Sequence, residues 1–510
     1  MQRHAIPFLA LLLSAAMAFA GEPPFEVSFE FSRPHDNGDN PGTLFEVRDA
    51  AGRTIAGAGY LGAYNTFPRS DREELQVYLR HEDVDADWKV EPLPRIDSTA
   101  TGFYPFQVAG ELYVSTRNGV DNRVHRWDHV ANSWQLAPDV ANGTERIAGK
   151  FFHVSTDGVT WDGEVILKPE ESYRFGEHYY ANGLLVLRSF RSAENPPANL
   201  FQVYEWTPVG NSPPHRISDF TLVLPQPREF VYTFAQRNGE ILAMTNMGGV
   251  YRLRPQGWDT LRTPILTVSY QIYCGANYRD SILFGHYPTG ELYEYSGNDL
   301  LLKKGWPPVL SGVSRNAREA QTLALYNGDL YCGVWPWGEL WRYDGTEWKF
   351  VQRMFEHPSL TDKVTHPYEA ETQAVDKVYN LWGQRVTGLI PSRGHLFITT
   401  SSKGGAPWDP KFAFLTPEQQ RDYGAIYRAT LPGQASFQLP PQSNPIRFTA
   451  VVEDSALKIK INGENYTSLA LSPEAKTRLI SGTTTVADGL YGPSPLKFEN
   501  IHLSHPSPGK

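Results

Sequence analysis

Arg188, His153, Tyr180 and Tyr232 are the residues whose types suit joint chemistry. A guanidinium offers a carboxylate or sulfate two parallel donors, while phenol and imidazole groups take up and release protons. Arg117, His178 and Arg191 add positive charge and hydrogen-bonding capacity beside them. Comparing repeated segments singles these residues out. In each copy the first apolar residue of the second strand serves as reference: Leu112, Phe151, Leu184, Ile241, Ile282, Leu330 and Leu396. Two residues on stand Val114, His153, Val186, Ala243, Phe284, Cys332 and Ile398, so His153 and Cys332 depart from an apolar ring. Four residues on, the series Thr116, Ser155, Arg188, Thr245, His286, Val334 and Thr400 has Arg188 and His286 as its departures, with Arg117 and Arg191 just beyond. Tyr173, His178, Tyr180, Tyr232, Tyr273 and Cys274 fall on the facing strands. Tyrosine and histidine are tolerated in strands without any function. It is the concentration of Arg, His and Tyr in one sector that points to an acidic ligand.

The elements that must position these side chains are short strands joined by tight turns. Residues 326–350 hold one complete unit: the turn dipeptide Asn327-Gly328, a strand of β-formers, a second turn at residues 336–338, another strand, the turn Asp344-Gly345, and an outer strand. Preceded by the apolar residues 322–325, this reads as a four-stranded antiparallel meander. Imperfect copies begin at Gly110, Gly149, Asn182, Asn238, Asp280 and Arg393, which makes seven in all. A spacing of about forty residues is that of propeller blades. The sequence therefore predicts an all-β chain built around a seven-bladed β-propeller spanning residues 95–438.

Strand-like stretches before the blades (residues 21–94) and after them (residues 446–510) are too few at either end for a sandwich but suffice together. They predict an appended β-sandwich-like module built from both termini, joined through an exposed Pro/Gln-rich linker at residues 439–445. Residues 1–20 read as a signal peptide: Arg3 and His4 precede an apolar run, and Ala18-Phe19-Ala20 ends in small residues, so cleavage is expected after Ala20. A secreted or periplasmic monomer follows. Two cysteines in 510 residues exclude a disulfide framework. A net charge of −9 argues against nucleic acid or an anionic membrane as partner, though a local basic cluster can still hold an anion.

A signal peptide, seven blades and a His/Tyr/Arg sector at a channel mouth resemble the propeller-fold polysaccharide lyases, most closely the ulvan lyases of marine bacteria. The resemblance rests on architecture and residue types, without a contiguous motif. It implies β-elimination on a uronate-containing polysaccharide, sulfated or not, with a tyrosine as base and acid and with His and Arg neutralising the uronate. Residue by residue it maps onto His153, Tyr180 and Arg188, with Tyr173, Tyr232, His125, His129 and His178 as competitors. No organic cofactor is implied. A non-catalytic glycan-binding propeller and a glycoside hydrolase are the alternatives. Residues 155–161 resemble a single sialidase-type Asp-box, which a turn between strands explains equally well. Cys274, His286, Cys332 and His366 form a candidate tetrahedral zinc set of structural kind, although their spacing is not that of a zinc finger, and buried free cysteines in adjacent strands explain it as well.

Overall fold

The computed structural model describes residues 25–65, 70–96, 100–116, 123–191, 199–208, 212–405 and 409–504. The expected signal peptide and Arg117 lie outside them. The described chain is all-β and forms nine antiparallel sheets, and none of its helices is long and apolar enough to cross a membrane.

Seven of the sheets hold four consecutive or nearly consecutive meander strands. The sixth is representative: Glu319–Tyr326, Asp329–Trp335, Glu339–Tyr343 and Trp348–Arg353. In six copies the first two strands are joined by an X-Gly turn with both residues at positive φ, such as Asn327 (51°) and Gly328 (82°). That turn matches the right-handed twist of a hairpin, and glycine is favoured at its second position because it lacks a Cβ. The first strands lie side by side from sheet to sheet, and the seventh sheet returns to lie against the first.

The other two sheets combine both ends of the chain. One contains Glu26–Arg33, Gln442–Glu453, Ala456–Ile461, Glu464–Ala470 and Phe498–Ser504; the other contains Thr43–Arg48, Thr54–Tyr60, Glu74–Leu79, Gln434–Gln438 and Thr483–Val486. Alternating apolar residues of both sheets, among them Phe29, Phe45, Val77, Phe448 and Ile459, share one buried cluster. The turns of the seven sheets dock on this pair: Gly183 N donates to Asn37 O (2.8 Å), Asn327 Nδ2 to Pro432 O (2.9 Å) and Gly110 N to an Asp71 carboxylate oxygen (3.0 Å).

Three boundaries differ from the sequence reading. Lys89–Pro92 is the outer strand of the seventh sheet, paired with Ile426–Thr430, so residues before 95 complete that sheet. Gln434–Gln438 pairs with Glu74–Leu79 and belongs to the terminal sheets. The expected exposed linker is largely absorbed: Leu439 is buried and residues 442–445 begin a twelve-residue strand. Pro445 falls in the irregularity between the pairs Phe31↔Ile446 and Arg33↔Gln442 and lies beyond the last pair with Ala456–Ile461 (Phe448↔Ile461), a position at which proline is tolerated.

Sequence reading also missed a segment that belongs to no repeat. Ala63–Asn65 pairs with the first strand of the fifth sheet, on the edge away from that strand's hairpin partner (Cys274↔Asn65, Ala276↔Ala63). Asn65 Nδ2 donates to Leu323 O (3.3 Å), Leu323 N donates to Asn65 Oδ1 (3.0 Å), and Thr233 Oγ1 donates to Tyr64 O (2.8 Å). One short strand thereby touches the first strands of the fourth, fifth and sixth sheets and fills the space they surround. Arg72 anchors the returning chain on Glu145 (3.1 Å). Asn65→Ala removes two buried hydrogen bonds and strands a backbone donor, so a loss of about 2 kcal/mol is expected in denaturant unfolding; an unchanged midpoint would show that this strand does not anchor the ring.

Candidate functional site

All seven X-Gly or equivalent turns face the terminal sheets, so the opposite ends of the first strands form a mouth free of those sheets, against which residues 380–384 are held (Gln384 N to Pro336 O, 2.8 Å; Lys403 N to Leu381 O, 2.9 Å). Glu319 and Arg385 begin the first strands of the sixth and seventh sheets. Tyr232 and Tyr273 lie near the start of those of the fourth and fifth, Val231–Arg237 and Gln271–Tyr278. Because the first strands converge, these four side chains meet. The Tyr232 and Tyr273 rings stack with centroids 4.1 Å apart, and Tyr273 OH donates to Tyr232 OH (3.2 Å). The Arg385 guanidinium sits 5.9 Å from the Tyr273 ring centroid, and its Nη2 is 3.9 Å from Glu319 Oε1. Lys403, just beyond the second strand of the seventh sheet, donates to Asn380 Oδ1 (2.9 Å).

Burial sets the electrostatics. Glu319 is 3% exposed, and its carboxyl is pushed up to about 7 by desolvation, against the opposing pull of Arg385 and Lys403. Desolvation, followed by the Glu319 charge, drives the Tyr273 phenol well above its ordinary range and so keeps it protonated. The Lys403 ammonium is lowered by burial and then by Arg385. At one rim an aromatic group continues outward: Trp335 against His366 (4.9 Å), and His366 against the exposed Tyr379 (5.5 Å). The cluster thus offers two cations, a carboxyl that titrates near neutrality and a pair of phenols.

Of the residues singled out from sequence, Tyr232 and Tyr273 belong to this cluster. Tyr180 does not. It lies one residue from its hairpin turn, at the end facing the terminal sheets, and its buried OH donates to Asp36 O (3.2 Å) and Trp206 O (3.1 Å). His178 lies on the same strand and pairs with Glu145 (3.1 Å), the carboxylate that also holds Arg72, so it supports the inserted segment. His153 is half-buried on Lys150–Ser155, with its imidazole lowered by burial and by His178. Arg188 is neutralised within its own hairpin by Glu177 and also donates to Asn199 Oδ1 (3.2 Å). Arg191 stacks on Tyr173 at 4.4 Å. The structure therefore does not gather His153, Tyr180 and Arg188 into one site.

The four metal candidates are also separated. Cys274 and Cys332 share an apolar cluster between the fifth and sixth sheets, where burial raises both thiols. The His286 ring packs on Tyr270 (4.3 Å) and its Nδ1 meets Thr289 Oγ1 (3.0 Å), while His366 Nδ1 meets Glu369 (3.3 Å). Among the described residues no group of three or more His, Cys, Asp or Glu side chains could hold a metal ion.

No protein-family model matches the chain, and no curated protein matches it. Solved structures do resemble it. The β-propeller domain of the Trilobed protease from Pyrococcus furiosus is 11% identical, over 61% of this chain and 92% of that one, with a TM-score of 0.33. BamB from Moraxella catarrhalis is 9% identical, over 63% and 80%, with a TM-score of 0.33. The computationally designed Ika8 protein is 10% identical, over 62% and 97%, with a TM-score of 0.35. At such identities and scores nothing about activity carries over.

Arg385, Glu319 and Lys403 escaped sequence reading, although a signal for two of them exists. Counting back eight residues from the turn residues Asn327 and Arg393 reaches Glu319 and Arg385, and six back from Asn238 and Arg279 reaches Tyr232 and Tyr273. A register irregularity at the sixth position back in each of these four strands interrupts the alternation, so what the copies share is the spacing from the turn. Removing the cation that holds Glu319 down should let its carboxyl rise further: in Arg385→Met, the infrared carboxyl band absent from Glu319→Gln should titrate above about 7. A band that titrates unchanged would separate the two residues electrostatically.

Proposed function

We propose that the seven four-stranded sheets are the blades of a seven-bladed β-propeller clasped by the terminal sandwich, and that this exported chain cleaves a uronate-containing polysaccharide by β-elimination at the free mouth. The observation that carries the reading is the convergence of Arg385 and Lys403 on Glu319 and the Tyr232–Tyr273 pair. Elimination requires loss of a weakly acidic proton α to a carboxylate, so that carboxylate must first be neutralised. Arg385, supported by Lys403, does this. Glu319, with a carboxyl poised near neutrality, accepts the proton as the carbon–oxygen bond to the departing sugar breaks. Tyr232 gives its proton to the leaving oxygen, and a carbon–carbon double bond conjugated with the carboxylate remains. Tyr232 recovers its proton from Glu319 through Tyr273 and solvent, which closes the cycle.

The reading keeps the acid role of a phenol that the lyase resemblance implies and moves the base role to Glu319, because the Tyr273 phenol beside Tyr232 is held protonated. Burial favours a second reading. Arg385 is 6% exposed and already faces Glu319, an arrangement that suits a propeller which binds an acidic glycan without cutting it. Incubation with a panel of uronate polymers separates the two through the ultraviolet absorbance of the unsaturated uronate. Absorbance should rise with at least one polymer, fall on the order of 100-fold in Arg385→Met and in Tyr232→Phe, and survive in Arg188→Ala. Polymer binding without absorbance would support the second reading, and neither binding nor absorbance would overturn both.

A further inference from the structure

A second polar recess lies at the opposite end of the ring, where the turns of the third, fourth and fifth sheets meet the terminal sheets. Asp39, Asn40, Gln236, Arg237, Asn238 and Asn277 line a crevice with a cavity volume of about 90 Å³ that opens to solvent. Asp39, Asn40, Gln236 and Asn277 also line an adjoining recess that reaches Tyr64 and Arg72 of the inserted segment, so the two are halves of one crevice.

Its walls are fixed in advance. Gln236 Nε2 donates to Gly38 O (2.8 Å) and to Tyr179 OH (2.9 Å), and its Oε1 accepts from Asn40 N (3.1 Å). Asn40 Oδ1 accepts from Gly42 N (3.3 Å), which leaves Nδ2 of the same amide buried without a partner. Asp39 accepts from Asn182 N (3.1 Å) with one oxygen, leaving the other for a ligand. Turn chemistry accounts for Asn182 and Asn238, whose φ values are 54° and 50°. It does not account for Asn277, which lies within a strand, has its backbone N–H occupied by Gly62 O (2.8 Å), and makes no side-chain hydrogen bond. The chain also keeps glycine at position 62, where a Cβ would collide with the Asn40 amide and crowd that of Asn277.

Amides held at fixed angles, each able to donate and accept, surround Asp39 and Arg237, while the other cations of the crevice are already paired (Arg279 with Glu46 at 3.2 Å, Arg72 with Glu145 at 3.1 Å), so the walls suit vicinal hydroxyl groups better than they suit an anion. We infer that this crevice binds a small neutral saccharide, in a site separate from the mouth. The claim does not rest on the elimination reading, since the two sites lie at opposite ends of the first strands.

The test is a thermal-shift and calorimetric titration of the whole chain with neutral mono- and disaccharides (glucose, galactose, xylose, maltose), and with glucuronate, at millimolar concentrations. At least one neutral sugar should bind and raise the melting temperature, and glucuronate should bind at least about tenfold more weakly. Asn277→Ala should lose the sugar response while melting as the parent does without sugar, because Asn277 makes no internal side-chain bond. Gly62→Ala should lose it as well, and Arg385→Met should keep it. No response to any neutral sugar would overturn the proposal, as would a response unchanged in both Asn277→Ala and Gly62→Ala or a preference for glucuronate.

Discussion

The antiparallel pairing of Lys89–Pro92 with Ile426–Thr430 is the contact on which the remaining architecture depends. A four-stranded sheet of short strands cannot bury both of its faces alone, and each of the seven here is covered by its neighbours. Such an arrangement has no natural end, so the first and last sheets must meet and be held. A strand supplied from before the first sheet completes the seventh and ties the two ends of the array together. The terminal sheets tie them again, because Glu26–Arg33 pairs with Gln442–Glu453 and Glu74–Leu79 with Gln434–Gln438. These two clasps hold the array without a disulfide, and both cysteines are free and buried.

The same clasp makes the two ends of the ring unequal. Between Thr54–Tyr60 and Glu74–Leu79 the chain contributes Ala63–Asn65, which lodges against the first strands of the fourth, fifth and sixth sheets. Asn65, Tyr64 and Arg72 spend their polar groups on that lodging. Around that strand the terminal end is lined with backbone and paired side chains, the crevice beside Asn277 apart, while Glu319, Arg385 and Lys403 gather at the opposite end. Glu319 shows what this costs: its carboxyl is buried beside Arg385 and titrates near 7. A buried guanidinium and carboxyl that face one another incompletely, at 3.9 Å, are poised to exchange partners when an anion arrives.

How far the sequence could be read follows from which constraints are local. The meander of the sixth sheet was legible to within three residues, the largest miss being the start of its first strand at Glu319 where 322 was expected, because X-Gly turns and alternating apolar residues are local signals. The pairing of the two termini was legible too, since neither end had enough strands by itself. The boundaries at 94 and 438 were not, because Lys89–Pro92 and Gln434–Gln438 look like any other short strand and only long-range pairing assigns them. The inserted Ala63–Asn65 carries no pattern at all. At the site, the comparison of copies was anchored on the second strands, where Arg188 and His153 stand out by type. The mouth is instead built at the first-strand starts, where Glu319 and Arg385 stand. Residue type alone could not tell that Arg188 was already committed to Glu177, or that Tyr180 was aimed at the terminal sheets.

The central claim is that Arg385 receives the carboxylate of an acidic sugar at the free mouth. A crystal structure of the protein soaked at low temperature with an intact, saturated uronate oligosaccharide tests it most directly. The account predicts the uronate carboxylate within hydrogen-bonding distance of Arg385, with Tyr232 OH next to the glycosidic oxygen and Glu319 on the sugar face from which the proton leaves. An oligosaccharide seated instead around Arg188 and His153, with Arg385 still facing Glu319 alone, would contradict it.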